Sequence, residues 1–186
     1  MKLYEKYPDS VTVGGKRIRL DLDFRNVLRM MDILAEDDLM ADARDYLAMK
    51  CICRHPRKGM KKEVMKLLFT EGADHERITD FDQDADMIRA AFLQAYRIDL
   101  NTRKMHWFEF SGLLSCLPEG SMYTQVLSIR ARPIPAADKY NAAEREWLMK
   151  AKALYAIRMT EKEQQTQYSR DVQKIGEFLL AFAGEE

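Results

Sequence analysis

The chain has 186 residues, 47% hydrophobic and 32% charged. That is enough to bury a core without a disulfide framework or structural metal. Its 30 Lys and Arg balance 30 Asp and Glu, so no global charge directs it to nucleic acid or a membrane surface. Its 3 cysteines are an odd count for a secreted disulfide scaffold. No run approaches the ~20 apolar residues of a membrane span, and Met1-Lys2-Leu3-Tyr4-Glu5-Lys6 carries no signal-peptide core. A reducing cytoplasm is the expected setting.

Two short runs, Val11-Thr12-Val13 and Lys16 to Leu20, flank Gly14-Gly15 and predict a β-hairpin closed by a two-residue type I′ turn. That turn sets Val11 opposite Ile18 and Val13 opposite Lys16. Val11, Val13, Ile18 and Leu20 then share an apolar face that must lie on something. From Asp23 the period becomes helical. Phe24, Val27, Leu28, Met31 and Leu34 form one stripe, with Asp21 or Asp23 as N-cap. Further helices are expected over about 41–53, ending near His55 before Pro56, and over 60–71, closed by Gly72. After a polar loop, a helix over 84–96 carries Ile88, Phe92 and Ala95. The next holds Trp107, Phe110, Leu114 and Leu117. Another, capped by Ser121, turns Met122, Val126 and Ile129 inward.

Pro133 and Pro135 mark a linker at 132–137. Two amphipathic helices follow, one with Tyr140, Trp147, Leu148, Ala151 and Leu154, the other with Tyr168, Val172, Ile175, Leu179 and Phe182. The expected architecture is mainly α. Residues 1–132 form a helical core domain with the hairpin packed on it, and 138–186 form a helical appendage or part of the same domain.

The candidate chemical sites fail on geometry. Cys51 and Cys53 point about 200° apart on a helix, and no second pair joins them and His55 to complete a zinc site. Asp82, Asp84 and Asp86 have the alternate spacing of calcium-loop ligands, but Met87 stands where glycine is required and Leu93 where glutamate is. Gly14-Gly15-Lys16 lacks phosphate-loop spacing, and His106 has no nucleophile in a recognisable motif with it. No enzyme activity, cofactor or metal is expected.

Charge patterning is more informative. Lys50, Arg54, Arg57, Lys58, Lys61, Lys62 and Lys66 stand against Glu63 alone, a net +6. Glu71, Asp74, Glu76, Asp80, Asp82, Asp84 and Asp86 stand against Arg77 alone, a net −6. Such blocks satisfy each other within one molecule or join subunits of a homo-oligomer. The basic block lacks the interleaved aromatics of a nucleic-acid surface, so that partner ranks last.

Two stretches carry a resemblance. One runs from Tyr7-Pro8-Asp9 through the hairpin to Asp23-Phe24-Arg25. The other runs from Phe81 through Asp84 and Asp86 to Tyr96-Arg97, and on through His106-Trp107-Phe108-Glu109-Phe110 to Leu117-Pro118-Glu119. Together they resemble the "gene-product fifteen" family of bacteriophage and prophage proteins from tail-morphogenesis clusters, over residues 7–35 and 80–135. The resemblance implies a tail assembly chaperone in the bacterial host cytoplasm. Its partners would be the tape-measure protein or tail-tube subunits, and it would have no catalysis of its own. A component retained in the virion and a nucleic-acid-binding regulator remain the alternatives.

Overall fold

A computed structural model describes residues 2–69 and 77–159. The elements run β1 (Ser10–Val13), β2 (Lys16–Arg19), α1 (Phe24–Ala35), α2 (Ala41–Ile52), α3 (Met60–Leu68), α4 (Ala85–Tyr96), α5 (Trp107–Ser115), α6 (Met122–Ala131) and α7 (Ala142–Leu154). The protein is mainly helical, with one two-stranded antiparallel hairpin at its N-terminus. It divides into two compact units at the Ser128–Ile129 junction, inside α6.

The hairpin has the expected register, Val11 opposite Ile18 and Val13 opposite Lys16. Gly14 and Gly15 take φ of 56° and 73°, the positive values a type I′ turn requires. Val11 and Leu20 are buried while Thr12, Arg17 and Arg19 face solvent, and β1 packs on α3. The Asp23 carboxylate starts α1 by accepting the Arg25 N–H at 3.0 Å, and an extended Glu36 ends it. The α1 core residues are Phe24, Val27 and Met30. Leu28, Met31 and Leu34 are only half-buried, so the inward stripe is rotated from the one expected.

Several boundaries differ from the expected ones. α2 stops at Ile52, because Cys53 is already extended, ahead of the Pro56 signal. α3 ends at Leu68, not Glu71: Phe69 turns extended and its ring reaches Trp107, 6.0 Å away between centroids. Gly72 lies outside the described residues. α5 ends at Ser115, so Leu117 is buried from the following turn. In α6 the Ser121 hydroxyl accepts the Thr124 N–H as expected. The buried positions, however, are Tyr123, Val126 and Arg130, whereas Met122 is exposed and Ile129 half-buried. The helix is turned so that the Tyr123 hydroxyl meets Thr79 Oγ1 at 3.2 Å.

One core fills the first unit, centred on stacked rings. Phe110 lies 4.5 Å from Phe24 and 5.4 Å from Phe92 between centroids. In the second unit Leu148 is fully buried, but Trp147 and Leu154 of the expected stripe are exposed. The proline segment is fastened to α7: Arg145 donates to the Pro135 carbonyl, Asn141 Nδ2 to the Ala136 carbonyl, and Arg132 pairs with Glu144. The helix expected at Tyr168 to Phe182 lies outside the described residues. No helix among the described residues is long and apolar enough to cross a membrane.

Candidate functional site

The two resembling stretches meet. The Trp107 N–H donates to the Leu22 carbonyl at 2.8 Å and the Phe24 N–H to the Met105 carbonyl at 3.0 Å. These bonds make an isolated antiparallel bridge between Asp23 and His106. Arg25 fastens the same junction. Its Nη2 donates to the carbonyls of Leu100, at 2.6 Å, and Arg103, at 2.8 Å, while Nη1 reaches Asp23 at 3.2 Å. A planar guanidinium can serve three acceptors in a fixed fork, which a lysine cannot. His106 caps α5, its Nδ1 accepting the Phe108 N–H at 3.3 Å, and its ring stacks on Tyr7 with centroids 5.1 Å apart. Burial pulls the imidazole below its ordinary pKa, outweighing the Pro8 carbonyl and the charges of Asp9 and Glu109.

Beside this junction α1 and α4 wall a cleft of about 430 Å³. Phe24, Leu28, Ile88 and Phe110 line its floor. Its rim carries Arg25, Arg29 and Arg89 together with Asp32 and Asp82. Burial, reinforced by the charges of Asp82, Asp80 and Glu36, pushes the Asp32 carboxyl above the usual carboxylate range. Of these residues the sequence had marked Phe24, Arg25, Phe110 and Asp82. Arg29, Asp32 and Arg89 were missed, although Arg25, Arg29 and Asp32 stand four and three residues apart on one helix face, a spacing visible in the sequence.

The described part of the acidic block, Asp80 to Asp86, disperses. Asp80 caps a turn, accepting the N–H groups of Asp82 and Gln83 and pairing with Arg77. Burial raises its carboxyl, but these donors outweigh that and hold it below the usual range. Asp84 is 0% exposed and accepts the Asp80 N–H at 3.0 Å. Asp86 points to solvent and pairs with Arg89. Glu71, Asp74 and Glu76 lie outside the described residues. The basic block lines a second cleft, of about 510 Å³, between α2 and α3, with Arg57, Lys58, Lys61 and Lys62 beside Asp42 and Asp45. Lys61 pairs with Asp45 at 2.6 Å, and Lys50 donates to the Arg54 carbonyl. Among the described residues no ion pair joins the basic block to the acidic one. Nor do any three His, Cys, Asp or Glu side chains there form a group that could hold a metal.

A helical fold with an N-terminal hairpin locked to a His-Trp helix is thus the frame on which both clefts are built. The chain matches the family model described as Bacteriophage Gp15 protein over residues 3–79 and 55–157, and it belongs to that family. No curated protein and no solved structure matches it.

Proposed function

We propose that this phage protein is a tail assembly chaperone. It holds a helical segment of the tape-measure protein, or a tail-tube subunit, in the bacterial host cytoplasm, and it performs no chemistry of its own. The observation that carries this reading is the cleft between α1 and α4. An apolar floor of Phe24, Leu28, Ile88 and Phe110 under a rim of both charge signs suits an amphipathic client helix, whose apolar side enters and whose flanks meet the rim. The floor belongs to the core, so the cleft is pre-formed and little ordering is needed on binding. The basic cleft favours nucleic acid less, because Asp42 and Asp45 stand within it.

Co-expression with the tape-measure protein of the same phage tests the reading. The wild-type chain is expected to keep that protein soluble and to co-purify with it, and Leu28→Glu, on the cleft floor, is expected to abolish both. Absence of co-purification with the wild-type chain overturns the proposal. Detection of the chain in purified virions by mass spectrometry would favour a structural component instead.

A further inference from the structure

The rim of the cleft between α1 and α4 is not evenly charged. Arg25, Arg29 and Asp32 follow one another along its α1 wall, and a helical rise over seven residues puts about 10.5 Å between the first and the last. The Arg25 end lies at Leu100 and Arg103, whose carbonyls the guanidinium holds. The Asp32 end is acidic. After burial, the charges that raise the Asp32 carboxyl are those of Asp82, Asp80 and Glu36. Asp80 is engaged by its own turn and by Arg77, and Arg89 by Asp86. Arg29, Asp32 and Asp82 are different. All three line the cleft and reach solvent, and none forms an ion pair with any described residue. Arg29 makes one side-chain bond among the described residues, to Asn26 at 3.4 Å. The fold thus gathers like charges at one end of the cleft and leaves a cation unpaired one turn away, which opposes folding unless a partner answers them.

We propose that this cleft reads the order of charge along its client helix and so fixes the direction in which that helix lies. The occupant is an amphipathic helix with a basic turn at one end of its apolar anchors and an acidic turn at the other. The basic turn meets Asp32 and Asp82. The acidic turn meets Arg29, with Arg25 beyond it. Anchors at i, i+3, i+4 and i+7 span the same ~10.5 Å as the α1 wall, so both turns reach their ends together when the client lies along α1. A client whose basic turn comes first therefore runs antiparallel to α1. The reversed seating sets its basic turn on Arg29 and its acidic turn on Asp32 and Asp82, and like charges brought together at the rim select against it. Such selection rests on the reading of the cleft as a client site, and adds which helices it takes and which way round.

The probe is a synthetic peptide of ~18 residues, long enough to form a helix. Its termini are blocked, its leucines stand at i, i+3, i+4 and i+7, lysines flank the first leucine and glutamates flank the last. Binding to the full chain is measured by fluorescence anisotropy. Replacing the lysines by glutamine is expected to weaken binding to the wild-type chain about two- to fivefold, the range of exposed ion pairs. That loss is expected to vanish in Asp32→Asn/Asp82→Asn and to persist in Arg29→Gln. Replacing the glutamates by glutamine is expected to give the mirror result, a loss that shrinks in Arg29→Gln and persists in Asp32→Asn/Asp82→Asn. The three positions are exposed, so the helical circular dichroism stays unchanged. Binding in which neither replacement couples to its end of the rim, or each couples to the opposite end, overturns the proposal and leaves the client cleft standing. A wild-type chain that binds no peptide also overturns it, while co-purification of the tape-measure protein judges the client reading separately.

Discussion

The cleft between α1 and α4 rests on Phe24 and Phe110, rings of the core itself. The cleft between α2 and α3 sets Arg57, Lys58, Lys61 and Lys62 beside Asp42 and Asp45 at the surface. In the first, the rim is fixed to a platform that cannot shift without opening the ring stack. In the second, the charges ride on flexible stems, and the floor contributes little beyond Met49. Rigidity in this protein therefore lies where the N-terminal stretch meets α5, and the surface charge that dominates the sequence adds little to it.

This contrast can be broken most directly at the core. Trp107→Ala removes a buried indole that touches Phe69, Phe81 and Phe110, and is expected to cost about 3–5 kcal/mol in urea denaturation. Arg25→Met deletes both carbonyl contacts across the junction and is expected to cost about 2 kcal/mol by the same measurement. A loss near zero in either variant would show that the junction does not hold the fold.

Two titrations sharpen the contrast. The Asp32 pKa is raised in the fold, so its ionised form opposes folding, and that penalty develops as pH rises above 3.8. Asp32→Asn is therefore expected to raise Tm at pH 7 and to leave it unchanged at about pH 3. The His106 pKa is lowered, so between that lowered value and 6.5 the unfolded chain binds the proton more tightly. The stability it contributes is complete above 6.5 and is lost as pH falls. His106→Asn, which keeps an N-cap acceptor, is expected to flatten that slope in Tm measured from pH 7 to pH 5. The smallest effect belongs to the other cleft. Lys61→Ala breaks an ion pair whose side chains are more than a third exposed, and is expected to cost less than about 1 kcal/mol.

Much of this was legible in the sequence because it depends on local rules. Gly14-Gly15 alone specifies the turn and hence the register of the hairpin. Asp23, Ser121 and the helical spacing from Phe24 mark where helices begin. What was illegible depends on partners distant in the chain. The length of α3 was overestimated because Phe69 leaves the helix to meet Trp107. The rotation of α6 was misjudged because Tyr123 finds Thr79. The cleft between α1 and α4 was half-legible: residues carrying the family resemblance proved to be its floor and its fastening, whereas Asp32 and Arg89 join the rim only once the fold brings both helices to one cleft. The net charge of each block could be counted, but not which of its described aspartates is already engaged. A count of charges cannot tell a capping aspartate such as Asp80 from one that waits for a partner.

The Arg25 contacts span 75 and 78 residues of chain, which bears on the order of events during synthesis. The hairpin and α1 leave the ribosome well before Leu100 and Arg103 exist. Until then the α1 guanidinium has no carbonyl to reach, and Phe24 has no Phe110 to cover it. Closing so long a loop is slow compared with forming a helix. The core of the first unit therefore cannot close until α5 has been made. A ribosome that stalls ahead of that helix holds a nascent chain with its core still open.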